Sequence, residues 1–174
     1  REIEQILEQV TTVWSLEEGA EITLEANPEC LDEGSIAGFI RAGVNRFSVG
    51  IQTFQEGELK FLGRRHLETQ NHKALKLLQA KEIRLNADLM VGIPNQTSSS
   101  VEENLRFLAE YGVNHISVYM LSIEEGAPWF EAVEKGQISI GSEVEKTDFY
   151  LLCREKLKNL GIFQYEISAF SVPG

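Results

Sequence analysis

Cysteine is scarce in this 174-residue chain: Cys30 and Cys153 are the two, and they stand far apart. So small a number builds neither a disulfide framework nor a cysteine-rich metal motif, and it predicts two reduced thiols in a cytoplasmic protein. Positive charge is thin as well. Sixteen Lys and Arg stand against 27 Asp and Glu, for a formal net charge of −11, which excludes binding of nucleic acid or anionic membrane through a broad basic surface. An anionic small ligand stays within reach if a local Arg, Lys or backbone N–H holds it. No apolar run approaches the roughly 20 residues of a membrane span. The chain opens on an amphipathic helical pattern with Glu2 and Glu4, not on a secretory leader or an initiator methionine, so it is expected to be a piece of a longer protein.

Other signals are missing too. No nucleophile elbow, Walker loop or Rossmann glycine fingerprint occurs. The histidines His66, His72 and His115 have no metal-ligand spacing and read as surface or packing residues. Asn95-Gln96-Thr97 matches a glycosylation sequon, which means little without a secretory signal. No linker or low-complexity segment divides the chain, and its length allows one domain, 1–174, with a sizeable core.

What is present is a repeated grammar of strand, polar end, then helix. In RFSVGIQTF the apolar run Phe47 to Ile51 stops at Gln52, and helix-like sequence follows. EITLEANPE alternates through Ile22, Leu24 and Ala26 and stops at Pro28. RLNADLMVGIP, from Arg84, and HISVYML, from His115, read the same way, and FQYEISAF, 163–170, reads as a last strand.

Helices fill the intervals. The first presents Ile3, Ile6, Leu7, Val10, Val13 and Trp14 on one face and ends near Leu16. Others are expected from Asp32, a plain N-cap, to Ala42 with Gly43 as a left-handed cap, over 56–62, over 69–80, and from Ser99 or Ser100 with a capping box to Glu102 or Glu103. A short one is expected near 129–135 and a longer one over 143–160. Gly43-Val44-Asn45 and Gly112-Val113-Asn114 each lead into a strand, an internal echo that fits stacked βα units. The alternation predicts a parallel sheet with right-handed crossovers. Four or five strands are too few to close an eight-stranded barrel, and the pattern alone leaves open sheet and partial barrel both standing.

In parallel α/β folds, residues at the C-terminal ends of strands face the ligand. Glu25, Gln52, Asp88 and Ser122 lie at or near such ends. Asp88 is the most pointed, because its strand is otherwise apolar and a buried carboxylate is costly unless paired. Each of the four alone is as readily a structural side chain; four together are less so. Gly63-Arg64-Arg65-His66 is a glycine-flanked basic trio that can grip a carboxylate or phosphate, although on this feature alone a solvated loop is the favoured explanation.

Taken together, EITLEANP, GVNRFSVGIQTF, LGRRH, NADLMVGIPNQT and QYEISAF closely resemble the radical SAM family. The branch is that of oxygen-independent coproporphyrinogen III oxidase and its relative, the heme chaperone HemW. The likeness implies part of a parallel (β/α)6 partial TIM-like barrel lacking its first two strands, and S-adenosylmethionine (SAM) as cofactor. By resemblance Glu25 matches the glutamate that hydrogen-bonds the SAM ribose. Gln52, Arg64 and Asp88 match polar residues that contact SAM, Arg64 at its carboxylate, and Ser122 falls where a strand end touches the adenosine moiety. The family's Cys-x3-Cys-x2-Cys loop, which ligates a 4Fe-4S cluster, and its glycine-rich stretch are expected upstream of Arg1, with 1–16 the helix after the second strand. This chain is therefore expected to be inactive alone. EANP, QTF and YEIS look more like the chaperone-type relatives, whose heme-contacting motif would lie past Gly174. Heme carriage is thus the first implied function. Oxidative decarboxylation of coproporphyrinogen III to protoporphyrinogen IX is the alternative. A bare sheet edge is expected to pair with another chain, giving dimers or aggregates.

Overall fold

The computed structural model describes residues 2–127 and 129–173. Arg1, where the first helix was expected to begin, lies outside them, as do Pro128 and Gly174. The order is α1 (Glu2–Val13), β1 (Thr23–Ala26), a 3₁₀ turn (Pro28–Cys30), α2 (Glu33–Arg41), β2 (Arg46–Gln52), α3 (Glu56–Phe61), α4 (Glu68–Gln79), β3 (Arg84–Val91) and α5 (Ser98–Glu110). Then come β4 (His115–Met120), α6 (Phe130–Glu134), α7 (Glu143–Asn159), β5 (Phe163–Gln164) and β6 (Ala169–Ser171).

The sheet runs β1-β2-β3-β4-β6-β5. The first four strands are parallel and in chain order, the expected α/β arrangement of stacked βα units. The last stretch corrects the reading of a single strand over 163–170. It is a hairpin, with β6 antiparallel to both β4 and β5. The amides of Tyr165 and Glu166 fold back onto the Ala169 carbonyl to close it.

The strands are two-faced. Phe47, Val49 and Ile51, then Leu85, Ala87, Leu89 and Val91, then Ile116 and Val118, are buried in one apolar cluster. Helix residues complete it, among them Ile36, Leu75, Leu78, Leu105, Leu108 and Leu157. Each such side chain removed from water contributes about 1.5–3 kcal/mol. The positions between them carry Ser48, Gly50, Gln52, Asn86, Asp88, Met90, His115 and Ser117, so the alternate face is polar but for Met90 and the bare Gly50. Apolar residues toward the helices and polar ones on the other face is what one wall of a barrel requires.

The caps follow from local chemistry. Asp32 and Ser35 form a reciprocal capping box at α2, and Gly43, at φ 109°, takes the left-handed position beyond its C-terminus. At α5 the cap is Thr97 paired with Ser100, not Ser99 or Ser100 with a glutamate: a hydroxyl answers a hydroxyl, two or three residues earlier than expected. The apolar face expected on α1 is only partly used. Ile3 packs on the core, while Ile6, Val13 and Trp14 are exposed, because among the described residues no strand lies beyond β1 to receive them.

Candidate functional site

Three strands and one loop converge on a polar cleft of about 330 Å³, lined by Glu25, Ala26, Asn27, Ser48, Gly50, Gln52, Arg64 and Asp88. Glu25 and Gln52 lie at or next to the ends of their strands, whereas Asp88 lies within β3, three residues before its end. β1 delivers Glu25, whose Cα pairs in register with that of Ser48 on β2. β3 delivers Asp88, in register with Ser117 of β4. Gln52 closes β2 at φ 65°, a left-handed conformation rare outside glycine. Such a residue costs on the order of 1–3 kcal/mol and persists only where its surroundings hold it. The β2–β3 register also shifts between Val49 and Gln52, which re-aims the strand end as bulges do.

Gly50 makes the convergence fit. A Cβ built there would stand 3.1 Å from Gln52 Nε2 and 3.3 Å from Asn27 Oδ1. Without that atom the two amides can close over the strand.

Arg64 comes from the loop between α3 and α4. Its Nη1 donates to Asn27 Oδ1 at 3.1 Å. Two residues on, His66 is buried, and its Nδ1 lies 3.1 Å from Glu29 Oε2. The loop is therefore tied twice to the Asn27–Glu29 segment, once by Arg64 and once by His66. Burial holds the His66 imidazole below its ordinary pKa, against the upward pull of Glu29. Asp88 is satisfied from below: Asn86 Nδ2 donates to Oδ1 at 2.7 Å, and Ser48 Oγ lies 3.2 Å from Oδ2. That pairing is what a half-buried carboxylate needs.

Four of the five expected residues thus meet: Glu25, Gln52, Arg64 and Asp88. Ser122 does not join them. It sits in the loop after β4, where its hydroxyl donates to Glu124 at 2.8 Å. Arg65 is exposed. The sequence reading missed Asn27, Ser48, Gly50 and Asn86. For Ser48, Gly50 and Asn86 the signal was the polar alternation of RFSVGIQ and RLNAD, hidden by treating 47–51 as one apolar run. Asn27 had no such signal, standing just past the end of its strand. A buried carboxylate, Glu58, was missed too. It accepts from Thr53, Gln96 and Ser100 and ties the loop after β2 to the loop after β3.

Chemically, the cleft offers two carboxylates, two amides each with both donor and acceptor, one hydroxyl and one guanidinium. It suits a ligand with hydroxyls or a cation at one end and a carboxylate at the other. It does not suit a metal cluster. Cys30 is exposed and Cys153 buried elsewhere in the core, and among the described residues no group of three or more His, Cys, Asp or Glu could hold a metal ion. Nor is any described helix long and apolar enough to cross a membrane.

Comparison with known proteins accords with this geometry. The model of the radical SAM superfamily matches residues 1–108. The chain is 36% identical over 173 residues to "Radical S-adenosyl methionine domain-containing protein 1, mitochondrial" of Danio rerio, covering 97% of this chain and 38% of that protein. It is 31% identical over 173 residues to "Heme chaperone HemW" of a Synechocystis strain, covering 99% and 42%. Among solved structures, coproporphyrinogen III oxidase from Escherichia coli, described as a radical SAM enzyme, superposes with a TM-score of 0.82 at 21% identity, over 98% of this chain and 39% of that one. The chain therefore spans about two fifths of the length of these relatives.

Proposed function

The chain belongs to the radical SAM superfamily, and on that footing we propose that its cleft binds S-adenosylmethionine and that the longer protein serves heme metabolism as a heme carrier. Residues 1–174 are read as one incomplete radical SAM core domain. The observation that carries this is the meeting of Glu25, Gln52, Arg64 and Asp88 on one small cleft.

The roles follow from charge and shape. The Arg64 guanidinium takes the ligand's carboxylate through its planar fork. Glu25 accepts from the ribose diol. Asp88 and Gln52 take the ammonium and the remaining donors, and the two carboxylates offset the sulfonium charge. Ser122 is assigned to the adenosine end, beyond the four-residue cleft. A 4Fe-4S cluster, where bound, supplies the electron for SAM cleavage. This chain's two cysteines cannot hold one, so its own residues bind and orient the ligand and do no more.

Heme carriage is favoured by the name of the HemW relative and by the EANP, QTF and YEIS segments. A cytoplasmic setting goes with it, in keeping with two unpaired thiols.

The test has two parts. SAM is titrated into the chain and followed by NMR; shifts should concentrate on Glu25, Gln52, Arg64 and Asp88 and should vanish in Arg64→Ala. Shifts elsewhere, or none, would end the reading. Heme is then offered to the full-length protein. Stoichiometric binding supports the carrier, whereas anaerobic, SAM-dependent decarboxylation of coproporphyrinogen III would replace it with the oxidase.

A further inference from the structure

Below the cleft, toward the N-terminal ends of the strands, the polar face of the sheet carries an unbroken row of hydrogen bonds. Asp88 Oδ1 accepts from Asn86 Nδ2 at 2.7 Å. The same nitrogen donates to Ser48 Oγ at 2.6 Å. At its other end, Asn86 Oδ1 lies 2.6 Å from His115 Nδ1 and accepts from Ser117 Oγ at 3.3 Å. His115 Nε2 lies 2.6 Å from the Tyr165 hydroxyl.

Chemistry fixes the direction of every link. A carboxylate can only accept, so the Asn86 NH₂ must face Asp88 and its carbonyl oxygen must face His115. A carbonyl oxygen also only accepts, so the His115 proton sits on Nδ1. In the neutral ring Nε2 is then an acceptor, and Tyr165 must be its donor. Neutrality is favoured because burial pulls the imidazole below its ordinary pKa, with Arg46 pushing the same way against Glu21 and Asp88.

We propose that Asn86, His115 and Tyr165 form a positioning relay that fixes the Asp88 carboxylate toward the ligand of the cleft. Asn86 is 3% exposed, and a buried amide that is free to turn would set its oxygen against Asp88. His115 removes that freedom by occupying the oxygen, and Tyr165 holds the His115 ring. Tyr165 lies in the turn of the β5–β6 hairpin, so the relay also joins the last segment of the chain to the cleft. The proposal rests on reading the cleft as a SAM site only for its consequence, not for its geometry.

Two measurements test it. In the ligand-free chain, long-range ¹H–¹⁵N NMR of His115 should show a neutral ring protonated at Nδ1. A ring protonated at Nε2, or one exchanging between the two forms, would overturn the relay. SAM affinity is then read by NMR titration in a double-mutant cycle. His115→Phe should weaken SAM about fivefold, the scale of one lost hydrogen bond. In an Asp88→Asn background the same change should matter less than about twofold. Equal losses in both backgrounds would mean that His115 acts by packing and not through Asp88. Tyr165→Phe, at an exposed residue, repeats the cycle should His115→Phe fail to fold. If the wild-type chain does not bind SAM, the ligand assignment fails, and the tautomer still decides the relay.

Discussion

Arg64 and Asn27 are joined by a hydrogen bond of 3.1 Å, although 37 residues of chain separate them. The bond stretches from the loop after α3 to the residue just past β1, and among the described residues the guanidinium makes no other side-chain hydrogen bond. Asn27→Ala should therefore loosen Arg64 without harming the core. We expect a stability loss within about 1 kcal/mol and a several-fold weaker SAM titration. An unchanged affinity would show that Arg64 needs no tether.

Gly50→Ala should spoil the cleft more than the fold. The new methyl would press on the ends of two side chains that line the cleft, Gln52 and Asn27, each of which must give by a few tenths of an ångström. The cost to stability should stay within the about 1–3 kcal/mol of overpacking, while ligand binding drops by a larger factor. Thermal melting and titration on one sample separate the two effects.

Stability should fall on mild acidification. Burial holds both His66 and His115 below the ordinary value of 6.5. The unfolded chain then takes up protons that the fold refuses. The histidine contribution is complete above about 6.5 and is lost as pH falls through the folded values. The urea midpoint should be lower at about pH 5.5 than at about pH 7.5, and His66→Gln should shrink the difference. A midpoint that rises on acidification would contradict the sign.

The two thiols should behave unequally. Burial pushes the Cys153 thiol up to about 12, so it carries almost no thiolate at neutral pH. Cys30 is exposed. A disulfide reagent should titrate Cys30 in the native chain and reach Cys153 only on unfolding. Rapid labelling of both would mean that the layer around α7 opens readily.

β1, at Thr23–Ala26, forms one margin of the sheet, and an uncovered margin invites another strand. Light scattering should report dimers or larger species, reduced by Thr23→Lys. A monodisperse monomer in the wild type would remove the idea.

Much of this was legible in the letters, and the failures have physical causes. Asp32 and Gly43 announced the ends of α2, because a short acceptor and a missing Cβ are what helix ends need. Asp88 stood out as the lone carboxylate of an apolar strand. The final hairpin did not, because Phe163, Tyr165, Ile167 and Ala169 alternate with polar residues straight through the turn, and no Gly, Pro, Asn or Asp marks it. The relay was invisible for another reason: Asn86, His115 and Tyr165 meet only after the sheet has formed, and nothing in their spacing foretells it.

The division of the sheet into a greasy side and a wet side has a consequence for how this protein can change. Side chains alternate along a strand, so a one-residue slip in the pairing of β2 would swing Phe47 and Val49 into the cleft and drive Ser48 and Gln52 among the helices. Ligand recognition and folding are thus written in alternate letters of the same words. Substitutions can edit either script, but no slip of register in those strands can alter one and spare the other.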